Sequence, residues 1–327
     1  MQQAVTIFQH PQSSATRPKK PRRRLLVRAQ EDNLPPLRLT KRDIAIINAC
    51  YEFRALTSQQ VQRLFFRSGT DRGQLTQCQL RLKLLYHHGY LYRDEQPTKM
   101  NDGRRPLVYF LDRKGAAMLA ECLEIPVTDL DWSSKNNAAG AKHLFIDHLL
   151  ATNNVRIAIT IAAQQQQTAL ERWLDDKTLK SSQMKDQVTV ETAKDKQQQI
   201  AIIPDGYFHL REQQRDYHYF VEADLRTMVG ISGKSERRDW AKKIRSYLTY
   251  KESGKFQKRY EAKSFRVLTV TTSEKRLQHL KQITEDVGGL SMFWFTTFKK
   301  IHANNALSEP IWQIASRTGD HSLLHQS

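Results

Sequence analysis

Between Thr40 and Leu111 the apolar residues keep a helical period three times and then change to the period of strands. That order leaves few folds open. Thr40 is a good N-cap, and Asp43 completes a capping-box-like pair with it. Ile44, Ile47 and Tyr51 then recur on one face. After Phe53-Arg54-Ala55-Leu56 a second N-cap stands at Thr57 or Ser58, with Val61, Leu64 and Phe65 as the buried side. A turn over Arg67 to Gly73 leads to a third helix, which ends near Gly89 and has Leu75, Cys78, Leu82 and Leu85 as its core stripe. Tyr90-Leu91-Tyr92 forms a short strand. The polar loop Arg93 to Pro106 holds an Asp102-Gly103 turn signal, and Leu107 to Leu111 returns as a second strand. Helix, helix, helix, strand, loop, strand is the order of a winged helix-turn-helix, predicted here over residues 40–123. A fourth helix, from Lys114 to Leu123, packs behind it or dimerises.

In such a unit the third helix enters the major groove of duplex DNA. Gln74, Thr76, Gln77, Arg81 and Lys83 lie away from or beside the core stripe and are the predicted groove contacts. Gln and Arg suit this role because each makes paired hydrogen bonds to a base edge. Leu80 and Leu84 also leave the stripe and pack on the wing or on a partner subunit. Arg104 and Arg105 in the loop are candidate phosphate contacts, diluted by Asp94, Glu95 and Asp102. Residues 1–39 read as a flexible arm. Arg17 to Arg28 carries seven basic residues and no acid, broken by Pro18 and Pro21. Too little apolar surface is present for it to fold alone. Arg22, Arg23 and Arg24 are predicted to lie along phosphates.

The formal net charge of +18 over 327 residues also calls for a polyanionic partner. Nucleic acid and an anionic membrane are the two candidates. There is no long apolar run and no apolar signal core, so the expectation is a cytoplasmic protein that binds double-stranded DNA and no membrane. Homodimerisation and contacts with replication or mobilisation proteins fit the same reading. Cys50, Cys78 and Cys122 lack zinc-ligand spacing and read as reduced core thiols. His143 and His148, five apart, do not share a helix face as a metal pair would.

Residues 124–139 are polar and mark a linker. Beyond it, residues 140–298 are predicted to form an α/β domain with a central mixed sheet. Its helices run from Ala141 to Ala163, Lys234 to Phe256 and Ser273 to Val287. Its strands are Ala169 to Leu174, Gln199 to Ile203, Gly206 to Arg211, Tyr217 to Ala223, Phe265 to Thr271 and Met292 to Thr296. The run Gln164–Gln167 and the stretch Lys177 to Gln199 read as loops or an insertion. The tail 299–327 has little pattern apart from Ile311-Trp312, which docks on the domain.

Asp205 ends one strand in Ile203-Pro204-Asp205-Gly206, and Glu222 stands in Val221-Glu222-Ala223-Asp224. Two carboxylates at one sheet edge can hold a divalent metal against a scissile phosphate, with a lysine nearby to neutralise charge. The stretch Lys234 to Arg259, with ten basic and three acidic residues, supplies a phosphate-binding surface beside them.

From about Leu39 to Thr297 the chain resembles the bacterial replication-relaxation family. The resemblance lies in Leu82-Leu85, Gly89-Tyr90-Leu91, Tyr109-Leu111-Gly115, Pro204-Asp205, Glu222-Ala223-Asp224-Leu225-Arg226-Thr227 and Lys243-Ile244-Arg245-Ser246-Tyr247. It implies an N-terminal winged helix joined to a restriction-endonuclease-like domain of the PD-(D/E)xK type. It also implies work on plasmid or mobile-element DNA, in replication or relaxation. A nuclease of that type would use Asp205 and Glu222 with Mg2+ or Mn2+. Asp224 stands where its strand lysine would be and becomes a further metal ligand, while Lys243 on the next helix supplies the cation. The alternative is structural, with these acids held by Arg226 or Arg237. Three readings stay open: a DNA-binding replication or relaxation protein, a metal-dependent endonuclease or nickase, and a transcription regulator with a degenerate nuclease-like scaffold.

The charge gives a direct expectation. Binding of duplex DNA should weaken steeply with salt, and each phosphate-contacting Lys or Arg removed should lower the log–log slope by about 0.9. Affinity measured by anisotropy between low and high salt checks this, and a flat response would remove the electrostatic argument.

Overall fold

The computed structural model describes residues 28, 34–67, 70–96, 105–132, 143–191, 197–225 and 233–324. The N-terminal unit runs α1 (Lys41–Glu52), β1 (Leu56–Thr57), α2 (Ser58–Phe65), α3 (Asp71–His87), β2 (Leu91–Glu95), β3 (Leu107–Leu111) and α4 (Arg113–Cys122). The helices and strands occur in the order expected. The two-residue β1 is an addition, and it completes a three-stranded sheet of order β1-β3-β2. All its pairings are antiparallel.

Both helix starts are closed reciprocally. Thr40 accepts from the Asp43 N–H while Asp43 accepts from Thr40, and Thr57 and Gln60 do the same for α2. Each box satisfies two backbone donors that a helix start leaves open. The core holds Ile46, Ile47, Cys50, Val61, Cys78, Leu82 and Leu85. Ile44 is 38% exposed, so the buried face of α1 is rotated from the one expected. On α3 the buried stripe starts at Gln74, not at the half-buried Leu75, because 74, 78 and 82 repeat at one helical turn. Gly115 in α4 is needed for close approach: a Cβ there would stand 2.4 Å from the Tyr90 carbonyl oxygen. Cys50 and Cys78 are buried thiols, as expected, and burial pushes both pKa values up. Cys122 is exposed, which corrects its assignment to the core.

The end of the basic arm is part of this unit. Arg28 pairs with Asp112 at 2.6 Å and lies over the Tyr86 ring, and Leu37 and Leu39 pack on the core. The expected linker also contributes, since Leu130 is buried and the Trp132 indole N–H donates to the Leu111 carbonyl.

The second half is built on α5 (His143–Gln165) and a seven-stranded sheet. Its strands are β4 (Ala169–Asp175), β7 (Gly206–Glu212), β8 (Arg215–Asp224), β9 (Arg266–Thr271), β10 (Phe293–Thr297), β11 (Trp312–Ile314) and β12 (Asp320–His321). The spatial order is β12-β11-β10-β9-β8-β7-β4. β8, β9 and β10 are parallel neighbours and the outer pairings are antiparallel, which makes the sheet mixed. One face is covered by α5. The other is covered by α7 (Gly233–Glu252), α8 (Lys255–Tyr260) and α9 (Glu274–Asp286).

Two expectations are corrected. The presumed loop Lys177 to Gln199 contains α6 (Asp176–Lys180) and β5 (Asp186–Glu191), and β5 forms a separate hairpin with β6 (Gln197–Ile202). Val188, Val190 and Ile202 of that hairpin alternate inward and pack in the core beside α7. Polar residues on its other face diluted the pattern in the sequence. The tail is likewise structural: β11 and β12 extend the sheet, and Trp312 is fully buried.

Arg81 closes the N-terminal unit. Its guanidinium bonds both oxygens of Asp43, one at 2.6 Å, and Asp43 is 0% exposed. Burial alone would raise the Asp43 pKa, but the bonds from Arg81 and Thr40 outweigh it and hold the carboxyl below its usual value. Arg81→Ala leaves a buried carboxylate unmatched and is expected to cost on the order of 3 kcal/mol in urea unfolding. In the wild type this stabilisation is present above the ordinary carboxylate pKa and is lost as pH falls through the lower folded value. In Arg81→Ala the Asp43 carboxyl loses the bonds that lower its pKa, so this loss of stability toward acid pH should shrink or reverse. Equal acid stability of the two proteins would show that the pair contributes nothing.

Candidate functional site

The outward face of α3 is the first candidate surface. Thr76, Gln77 and Lys83 are exposed on it, together with Arg72, Gln79 and Leu80. Two of the expected groove residues are elsewhere. Gln74 is only 8% exposed, and Arg81 is committed to Asp43 and to the Arg38 carbonyl oxygen. Leu80 is 59% exposed and packs on neither the wing nor any other described element to a buried degree. Arg105 pairs at 3.0 Å with Asp147 of α5, which ties the base of the β2–β3 loop to the second half. Arg104, Arg22, Arg23 and Arg24 lie outside the described residues.

The second candidate is a carboxylate cluster at one end of the central sheet. Antiparallel pairing places Gly206 opposite Val221, so residues 205 and 222 meet although seventeen positions separate them. Asp205 lies just before β7. Its Oδ2 accepts from the Ala223 N–H at 2.8 Å and stands 3.3 Å from His148 Nε2. The same His148 nitrogen is 3.0 Å from the Ala223 carbonyl oxygen. Side chains alternate along β8. Phe220 packs in the core on the α7 side and Val221 in the core under α5. Glu222 is therefore turned toward α7. There Lys243 Nζ donates to Oε2 and the Tyr247 hydroxyl donates to Oε1, each at 2.6 Å.

The structure thus brings together Asp205, Glu222 and Lys243, as the sequence suggested, and adds His148 and Tyr247. Asp224 goes another way. It accepts from Thr271 Oγ1 at 2.7 Å and takes two bonds from Arg276 of α9, at 2.8 and 3.1 Å. The arginines proposed from sequence to hold these acids do not enter the described contacts: residue 226 and the side chain of residue 237 lie outside the described residues. Arg276 was not legible in advance, being 52 positions from Asp224 and carried by a different helix.

The electrostatics follow the contacts. Burial is the largest influence on Glu222, which is 2% exposed, and it raises the pKa despite Lys243 and Tyr247. Burial pushes Asp205 the same way, but the His148 bond, the Lys243 charge and the Ala223 amide outweigh it and leave the pKa lowered. The bond to Asp205 raises His148 above its ordinary value, against burial. His148 Nε2 is thus placed as a donor between a carboxylate and a carbonyl.

Every carboxylate oxygen of Glu222 and Asp224 has a hydrogen-bond donor at 3.1 Å or closer. Among the described residues no group of three or more His, Cys, Asp or Glu side chains is placed to hold a metal ion. As arranged, the donor set does not fit Mg2+ or Mn2+. Lys243 would have to leave Glu222, and His148 would have to leave Asp205. A cavity of about 200 Å3 opens beside Glu222, between β6 and α7.

Comparison with solved structures finds two structures of the restriction endonuclease FokI, one of them bound to DNA. Both are 12% identical to this chain, and each alignment covers 79% of it. The TM-scores are 0.24 and 0.25, and the chain spans 43% and 42% of those proteins' length. Scores this low do not establish a shared fold. No curated protein matches the chain. The profile of the replication-relaxation family matches residues 48–264, about two thirds of the sequence, from within α1 to beyond α8. The match covers the outward helix α3 and the whole Asp205–Glu222–Lys243 cluster, and the chain belongs to the replication-relaxation family.

Proposed function

We propose that this protein binds duplex DNA through an N-terminal winged helix and acts in the replication or relaxation of plasmid or other mobile-element DNA. The observation that carries the reading is the arrangement of α1, α2 and α3 with the β2–β3 hairpin. It leaves one face of α3, with Thr76, Gln77 and Lys83, turned to solvent. A helix so mounted beside a two-stranded wing can enter a groove of about 12 Å while the wing follows the backbone. Family membership and the +18 charge support the same partner. No helix among the described residues is long and apolar enough to cross a membrane.

The second unit supports a nuclease-like reading of its fold. Helices cover both faces of its central mixed sheet, in keeping with the restriction-endonuclease-like domain that the resemblance implies. Asp205, Glu222 and Lys243 converge at one end. Since the donor set is spent within the fold, the unit acts as a phosphate-gripping scaffold. Its gripping surface includes the exposed Arg245, Lys251, Lys255 and Lys258 of α7 and α8. Cutting remains the competing reading, favoured by that same convergence.

Supercoiled plasmid separates the readings. The expected result is a retarded complex whose DNA topology is the same with and without magnesium or manganese. Nicked circles that need metal and vanish in Asp205→Ala would replace the scaffold with a nuclease. Single variants test the face of α3. Gln77→Ala should flatten preference among DNA sequences, with a loss of about 1–3 kcal/mol at the preferred site only. Lys83→Ala should weaken all sequences alike. Glu222→Ala strips Lys243 and Tyr247 of their shared acceptor. It is expected to destabilise the fold on the order of 2 kcal/mol, discounted because the Lys243 side chain is 40% exposed. Unchanged unfolding in urea would mean that the network is not structural.

A further inference from the structure

We propose that the cavity between β6 and α7 is a binding site for one unpaired nucleotide. This rests on the DNA-binding reading and adds a substrate feature to it. One wall is strand β6 and its continuation, where Ile200, Ala201 and Ile203 are only half-buried. The opposite wall carries Lys242 and Lys243 of α7, and Glu222 lies beneath them. With Lys243 paired to Glu222, an aliphatic wall facing the Lys242 ammonium suits a ligand with a flat apolar body and an anionic end. In a chain of net charge +18 that ligand is a base with its phosphate.

Size restricts the choice further. About 200 Å3 accepts a ring system but not a double helix, whose major groove alone is about 12 Å wide. The base must therefore be unstacked before it enters, as in proteins that take a nucleotide out of the duplex. The acids of the cavity do not oppose this. Glu222 is already matched by Lys243 and Tyr247, and the exposed carboxylate of Asp239 can accept hydrogen bonds from a base amino group. The hairpin of β5 and β6, separate from the central sheet, forms this wall. Val188, Val190 and Ile202 anchor the hairpin in the core, and Ile200 beside them is left at the cavity.

The test uses the full chain and an oligonucleotide with 2-aminopurine in a single-base bulge. Saturable binding should raise the probe's fluorescence, because the base leaves the stack. Ile200→Asp, and separately Ala201→Trp as an uncharged plug, should weaken that signal's affinity about tenfold. Both should leave binding of fully paired duplex within about twofold. Displacement by millimolar deoxyadenosine monophosphate would support the site and identify free nucleotide as its ligand. Displacement only by a gapped or bulged strand would support it with DNA as the source. The proposal is overturned if both variants fold, by unchanged far-ultraviolet circular dichroism, and neither alters the signal. It is also overturned if fluorescence stays flat in a wild type that shifts the duplex. Failure of the wild type to bind any DNA would instead overturn the DNA-binding reading on which the site rests.

Discussion

The structure depends on α5 being buried on more than one side. Ile157 and Ile161 belong to the core of the N-terminal unit. Val155, Ala158, Ile159 and Ala162 belong to the core under the central sheet. Nearer its start, Ile146, Leu149 and Leu150 pack with Ala55, Val108 and Phe110. A helix apolar on most of its circumference has no solvated side to rest on, so both halves must close around it. Each fully buried Val or Ile contributes about 1.5–3 kcal/mol relative to exposure. Polar contacts fix the register. Asn153 donates to the carbonyls of Phe53 and Ala55, Gln60 donates to the Leu150 carbonyl, and Arg54 meets Asp176 of α6. The outward face of α3 and the carboxylate cluster are consequently held by one rod, and His148 of the cluster is carried on it.

That arrangement bears on how charge is handled at the cluster. Asp205, Glu222 and Asp224 come from two adjacent strands and would repel one another in a medium that screens poorly. The fold separates them. Asp205 is matched by His148 and a backbone amide, Glu222 by Lys243 and Tyr247, and Asp224 by Thr271 and Arg276. Glu222 is buried and Asp205 and Asp224 are partly buried, so each is costly to unpair. The cluster places Lys243 at the edge of the cavity between β6 and α7.

The outward face of α3 is shaped in a similar way. With Arg81 locking α3 to α1 and Gln74 buried, the residues left for base edges are mostly uncharged. Gln77 and Thr76 can read bases, whereas Lys83 and Arg72 add charge without much discrimination. Further exposed cations stand on α7 and α8, among them Arg245, Lys251 and Lys258.

The element order of the N-terminal unit was determined by local chemistry. The capping pairs at Thr40–Asp43 and Thr57–Gln60 and the periodic apolar residues act over a few positions, and such short-range signals survive in a linear chain. The approach of Asp205 to Glu222 was legible for the same reason, since two strands joined by a short turn must pair. What tertiary structure alone decided is which of these side chains remain available. Arg81 looks free on a helical wheel, and only the buried Asp43, 38 positions earlier, claims it. Asp224 looks like a metal ligand until Arg276 arrives from another helix, and His148 looks idle until α5 lies across the sheet. The hairpin β5–β6 and the strands after Lys299 were obscured because they bury few residues each, and their apolar positions gain meaning only against a core supplied by distant segments. Local propensity sets where elements begin and end. The pairing of charges is set by long-range contacts, which leave no spacing in the sequence.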